Sequence, residues 1–172
     1  IADAAARLDA ELEFARAIQL SSLPKVNAIL DIAEHQKNNG FDLHAVMFTA
    51  KEVGGDFYDF FFIDDRYLVV IVADVSGKGI PAALFMMTLK PLIRGYAEAN
   101  LSAAEVFTKT NSRLCESSDS KMFVTAFMGI LDTQTGKFTY VNAGHNPPLI
   151  RRKETGFVFI KPRPGLVLAA IE

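Results

Sequence analysis

The stretch DFYDFFFIDDRYLVVIVADV, residues 56–75, holds two apolar runs separated by the polar cluster Asp64-Asp65-Arg66. Runs rich in Phe, Val, Ile and Tyr and bounded by turn residues are strands, so a β-hairpin is predicted. Both runs stay apolar at odd and even positions alike, which predicts strands covered on both faces, by another sheet on one side and helices on the other. Loop length decides where the two aspartates at its open end meet. With a two-residue loop, Asp64-Asp65, Ile63 faces Arg66, Asp56 faces Ala73 and Asp74 points to the other face. With a three-residue loop, Asp64 to Arg66, Ile63 faces Tyr67 and Asp56 stands opposite Asp74. Directly paired residues share a face, with Cβ atoms roughly 4.5–5.5 Å apart. Two ionised carboxylates that close repel unless one takes a proton or a cation sits between them.

Upstream of the hairpin, Ile1, Ala5, Leu8, Leu12 and Ala15 recur at steps of four and three in a segment of helix-forming composition. A helical linker over residues 1–25 is predicted, either docked on its own domain or paired with a second copy as a short coiled coil, and ended by Ser21-Ser22-Leu23-Pro24. AILDIAEHQKNNG, residues 28–40, predicts a second helix closed by Asn39-Gly40, and FDLHAVMFTA, residues 41–50, predicts a strand. Downstream, PAALFMMTLKPLIRGYAEA, residues 81–99, is a helix with Pro81 in its first turn and Pro91 inside it. Ser102-Ala103-Ala104-Glu105 is a capping box that opens another helix toward Cys115. MFVTAFMGILD, KFTYVNA, PLIRR and FVFI then read as four strands joined by short turns. Helices grouped between two sets of hairpin-linked strands make an α+β fold with antiparallel sheets.

The 172 residues suffice for one domain, half of them are hydrophobic, and the net charge is −2. No basic stripe marks a nucleic-acid partner. One cysteine, Cys115, excludes an internal disulfide. Nothing resembles a secretion signal or a membrane span, so a cytoplasmic setting without direct membrane contact is expected.

The residues around the two aspartates favour a cation. Mg2+ and Mn2+ take oxygen ligands, and Gly54, Gly55 and Gly77 leave room for carbonyls and waters. Cys and His are too sparse for zinc. Taken alone, Asp74 also reads as a cap of the Ser76-Gly77 turn. The Ser76-Gly77-Lys78-Gly79 turn before a helix could cradle phosphate, but it lacks the GxxxxGK[ST] spacing. Carboxylates, a divalent ion and an anion-friendly turn together are the equipment of metal-assisted phosphate hydrolysis.

Five segments in order, Val53-Gly54-Gly55-Asp56-Phe57-Tyr58-Asp59, Asp74-Val75-Ser76-Gly77-Lys78-Gly79, Ala82-Ala83-Leu84, Met122-Phe123-Val124-Thr125 and Asn142-Ala143-Gly144-His145-Asn146-Pro147-Pro148, carry a resemblance. The chain resembles the bacterial PPM (protein phosphatase 2C-like) serine phosphatases, in the group of the sporulation stage II protein E phosphatase and the stress sigma-factor regulator phosphatases. Ile18-Gln19 followed by Leu23-Pro24 is similar to the segment that joins their sensor domains to the catalytic domain.

The resemblance implies an αββα sandwich of two mostly antiparallel sheets flanked by helices, with a two-metal Mn2+ or Mg2+ centre. It implies a metal-dependent serine/threonine phosphatase that hydrolyses a phosphoprotein with metal-activated water and no covalent phosphoenzyme. Carried over, Asp74 bridges the metals, the Val75 carbonyl holds one, and Asp56 completes the near side. The implied substrate is a phosphorylated anti-sigma-factor antagonist, whose dephosphorylation releases a sigma factor by partner switching, and the parent chain is expected to carry an N-terminal sensor domain. A homodimer is implied through the linker and through Phe85, Met86, Met87 and Leu89, against a reading of those four as core. The family's distal aspartates near a Thr-Asp-Gly turn have no counterpart here, so residues 26–172 are expected to hold the phosphatase domain without its C-terminal part. The alternative expectation is a catalytically incomplete module acting in protein–protein interaction or dimerisation. His145 is expected to be a hydrogen-bonded turn residue, Lys78 a solvated lysine or a substrate-steering one, and Asp59 either a residue behind the metal ligands or a strand residue facing water.

Overall fold

In the computed structural model, which describes residues 2–24, 41–49, 52–117, 122–160 and 165–171, the hairpin forms from β1 (Phe57–Ile63) and β2 (Tyr67–Val75). Ile63 pairs with Tyr67 and Phe57 with Ala73, so the loop is Asp64, Asp65 and Arg66. Asp64 adopts a left-handed φ of 55°, which aspartate tolerates, and its Oδ1 accepts from the Arg66 N–H at 2.8 Å. The Arg66 guanidinium forks onto the Asp132 carboxylate at 2.9 and 2.6 Å, while the Arg66 carbonyl accepts from the N–H and hydroxyl of Thr133. These bonds tie the hairpin loop to the next turn of the sheet and hold its three-residue length. The pairing pulls the Asp132 carboxyl well below the usual carboxylate range and pushes the Arg66 guanidinium up.

β3 (Val124–Asp132) and β4 (Phe138–Ala143) extend the hairpin into an antiparallel sheet of order β1-β2-β3-β4, and β5 (Leu149–Arg152) and β6 (Gly156–Phe159) form a separate antiparallel pair. The predicted α+β class with antiparallel sheets is the observed one. One face of the larger sheet, carrying Phe57, Phe61, Val69, Ile71, Ala73 and Val75, is sealed by α2 (Ile80–Glu98) and α3 (Ala103–Ser117). Met86, Leu89 and Ile93 of α2 are 0% exposed, and each such side chain stabilises the fold by roughly 1.5–3 kcal/mol. Met86 and Leu89 are therefore core, while Phe85 and Met87 are half-buried. α2 runs through Pro91 unbroken. The capping box of α3 closes as predicted: Glu105 accepts from the N–H and hydroxyl of Ser102, and the Glu105 N–H donates to the Ser102 hydroxyl.

Three expectations change. Asp59 neither faces water nor stands behind the carboxylate pair; it points into the helix side, 1% exposed, with Lys90 Nζ at 2.8 Å and Arg94 at 3.6 Å. Arg94 also lies over the Phe61 ring at 4.3 Å. Residues 41–49 do not form the predicted strand. Their odd members are half-buried and their even members exposed, as on a strand, with Phe41, Leu43 and Ala45 laid on the Phe60–Leu68 cluster, but they carry no ladder. Alternation fixes which side faces a sheet; pairing needs a neighbouring edge as well. The helix expected over residues 28–40 lies outside the described residues.

The third change concerns the linker. α1 (Ala2–Ser22) ends where expected, but its seam is not docked along this domain: Leu8 is 54% exposed, Ala5 is exposed, and Leu12 and Ala15 are half-buried. Its end is seated most deeply, through Gln19 at 3% and, just past the helix, Leu23 at 7% exposure. Among the described residues no helix is long and apolar enough to cross a membrane.

Candidate active site

The register that pairs Phe57 with Ala73 sets Asp56, one residue before β1, opposite Asp74. Both lie on the sheet face away from α2 and α3, and both line one cavity of about 660 Å3. The Asp56 carboxyl is pushed up to about 6, first by loss of water around it, then by its hydrogen bond to Asp74 and by the charge of Asp74. Asp56 remains solvent-exposed, so a cation or a ligand can reach it. The three-residue loop thus delivers the carboxylate pair that was one of two outcomes open in the sequence.

The glycines before Asp56 act by contact. A Cβ on Gly55 would stand 2.8 Å from Val75 Cβ, 2.9 Å from Val75 O and 3.1 Å from Ala82 Cβ, so only glycine lets this loop lie against the end of β2. Gly54 is gripped by Gln19, whose carboxamide donates to the Gly54 carbonyl and accepts from the Gly54 N–H at 3.1 Å. Gln19 Nε2 also lies 3.7 Å from Met86 Sδ. The end of α1, the loop before Asp56 and the first half of α2 therefore meet at one buried carboxamide. No reading of the sequence singled out Gln19 for this role; a polar residue one turn before the Leu23-Pro24 stop was the available signal.

Val75 is placed differently from the aspartates. Its side chain is fully buried in the core and its carbonyl lies against Gly55. Lys78 reaches the rim: with Thr49, Val53, Gly54, Gly55 and Gly77 it lines a second cavity of about 410 Å3 that also touches Asp56 and Asp74. Ser76 closes its turn on Phe123, accepting the Phe123 N–H at its hydroxyl and donating its own N–H to the Phe123 carbonyl.

His145 combines the expected turn with an unexpected address. Its N–H donates to Asn142 Oδ1 at 2.8 Å and its carbonyl accepts from Asn142 Nδ2 at 3.0 Å, which holds the turn. Its ring lines the same cavity as Asp56 and Asp74, with Nδ1 at 2.9 Å from the Thr125 hydroxyl. Thr125 is the ladder partner of Asp74. Burial pulls the imidazole pKa down, against the opposing pull of Asp74.

These donors fit a hard divalent ion. Two opposed carboxylates, one with a pKa raised by loss of water and by the other beside it, gain most from a cation of charge two with an oxygen preference. Among the described residues no group of three or more His, Cys, Asp or Glu side chains could hold a metal.

Residues 64–172 match the family described as stage II sporulation protein E (SpoIIE). Phosphoserine phosphatase RsbU of Bacillus subtilis is 31% identical over 132 residues, covering 77% of this chain and 39% of RsbU. Protein IcfG of Synechocystis sp. is 30% identical over 171 residues, covering 84% of this chain and 26% of that protein. The solved SiaA-PP2C domain of Pseudomonas aeruginosa matches with a TM-score of 0.79 at 22% identity, over 98% of this chain and 65% of that one, a likeness of fold. The chain spans 26% and 39% of the length of these two curated relatives.

Proposed function

We propose, for a chain that belongs to the stage II sporulation protein E family, the activity of a metal-dependent phosphoserine phosphatase domain. The observation that carries this reading is the Asp56–Asp74 pair, formed across a hairpin whose loop is braced at three residues. The name of RsbU, a phosphoserine phosphatase, supports the substrate class.

Asp74 and Asp56 would hold Mn2+ or Mg2+, with the Val75 carbonyl as a further oxygen donor. The bound ions supply neutralisation of phosphoryl charge and activation of water. The chain's own residues prepare for this. Asp56 would meet a cation as a carboxylate, and Gln19 and Gly55 fix the loop that aims it. Lys78, on the rim, attracts the dianionic phosphoseryl group electrostatically. The substrate proposed is a phosphorylated anti-sigma-factor antagonist, dephosphorylated in the cytoplasm as the output of a sensor-linked protein.

The test is Mn2+-dependent hydrolysis of p-nitrophenyl phosphate by the full-length protein, wild type against Asp74→Asn. Loss of at least a hundredfold in turnover is expected. Unchanged turnover overturns the assignment of Asp74.

A second reading, a non-catalytic module that dimerises, is favoured by one observation: Leu8, Phe14 and Ile18 of α1 are 54%, 70% and 48% exposed in the single chain. A monomer by light scattering at high concentration would count against dimerisation through α1, and metal-dependent turnover would remove the non-catalytic half of that reading.

A further inference from the structure

The cavity over Asp56 and Asp74 has an acidic floor, and a phosphoryl group entering it needs hydrogen-bond donors from the walls. His145 occupies such a wall. Its turn does not depend on its ring: the backbone is held at both ends by Asn142, itself 7% exposed, and Gly144 takes the left-handed φ of 69° that the turn requires. A bridge between Ala126 and Gly144 pins the same turn to β3. The ring is thus spare with respect to the fold, yet it is fixed: Thr125 Oγ1 stands 2.9 Å from Nδ1, and Thr125 is bound in register to Asp74. A hydroxyl that donates to Nδ1 places the ring proton on Nε2.

We propose that His145 is a phosphate-contacting residue whose Nε2–H, set by the Thr125 hydroxyl, donates a hydrogen bond to an oxygen of the phosphoryl group seated over the Asp56–Asp74 pair. The proposal rests on the phosphatase reading above and adds a residue to it. It makes Thr125 a positioning residue, acting only through the ring. A neutral N–H donor suits this wall: it binds a phosphoryl oxygen without pairing permanently with the carboxylates opposite.

The test uses the Mg2+-loaded full-length protein with inorganic phosphate as the probe. In the wild type, phosphate is expected to move the His145 ring nitrogen signals, and those signals should report the proton on Nε2 before it is added. In His145→Ala the inhibition constant of phosphate against p-nitrophenyl phosphate hydrolysis is expected to weaken about tenfold, ~1.4 kcal/mol. His145→Gln, which keeps a donor, should recover most of it. Thr125→Val should weaken phosphate and shift the ring proton, and Thr125→Ser should restore both. Unchanged phosphate inhibition in a folded, active His145→Ala, or a proton on Nδ1 that Thr125→Val does not move, overturns the inference and leaves the phosphatase reading standing. If the wild type hydrolyses nothing, that reading falls, and the phosphate titration of the ring signals decides the inference alone: movement supports it and silence overturns it.

Discussion

Gln19 and Gly54 close a two-bond ring across 35 residues of chain, carboxamide to peptide, with Met86 packed on the carboxamide nitrogen. Both polar atoms of the buried side chain are satisfied by one glycine two residues before Asp56. Gln19→Ala leaves the Gly54 N–H and carbonyl without that partner in a half-buried place and is expected to cost about 1–3 kcal/mol. Gln19→Glu keeps one acceptor but sets a buried carboxylate oxygen against the Gly54 carbonyl, so it should cost more. Chemical denaturation measures the loss, and an apparent Mn2+ affinity lowered in the same order would show that the grip reaches Asp56.

Lys90 is the near partner of a fully buried Asp59 side chain. Removing one member of a buried pair strands the other charge, so Lys90→Met is expected to destabilise by about 3 kcal/mol, softened by Arg94 at 3.6 Å. The double variant Asp59→Leu with Lys90→Met should recover most of that loss. Urea unfolding of the two single variants and the double one closes the cycle, and additive losses would contradict the pairing.

Gly55→Ala forces a methyl group within 2.8 Å of Val75 Cβ and 2.9 Å of its carbonyl. Both are core or backbone atoms that yield little, so a loss of about 1–3 kcal/mol is expected. Turnover should drop more steeply than stability, because the shift falls on the residue next to Asp56. Unfolding and Mn2+-dependent hydrolysis on one preparation compare the two.

Asp56 links stability to pH. Its folded pKa of about 6 lies above the ordinary 3.8, so the metal-free fold binds a proton the unfolded chain has already released. The penalty is complete above about pH 6 and is relieved as pH falls toward 4. His145 works the other way, since a depressed imidazole pKa favours the unfolded chain as pH drops through 6.5. The difference between wild type and Asp56→Asn isolates the carboxyl: the melting advantage of the variant should be largest at pH 7.5 and shrink toward pH 5. Mg2+ competes with the proton, so its melting shift in the wild type should be larger at pH 7.5 than at pH 5.5.

The carboxylate pair was legible in the sequence because side chains alternate along strands, so a count through the loop carries to the far end. Choosing between loop lengths required Arg66 to find Asp132, a contact across 66 residues with no local signal. Alternation likewise marked which side of residues 41–49 meets the sheet without telling whether an edge lies beside them. Asp59 misled because an acidic residue in an apolar strand reads as an outward position, and its partner Lys90 sits 31 positions on, in a helix where the same rule would call it exposed. His145 was recognised as a turn residue from its Asn and Pro neighbours; the address of its ring depended on β4 lying beside β3, which composition does not encode.

The loop Asp64-Asp65-Arg66 stands at the opposite end of β1 and β2 from the aspartates, seven ladder pairs away, yet it governs whether they meet. Its length works as a parity bit. Change it by one residue and, with β2 held on β3, Asp56 is carried to the helix side while Asp74 stays; change it by two and the carboxylates share a face again, offset along the strands. Variation in this distant turn is therefore tolerated in even steps at most, and the meeting of the two carboxylates is written, in part, in the length of a surface loop that touches neither.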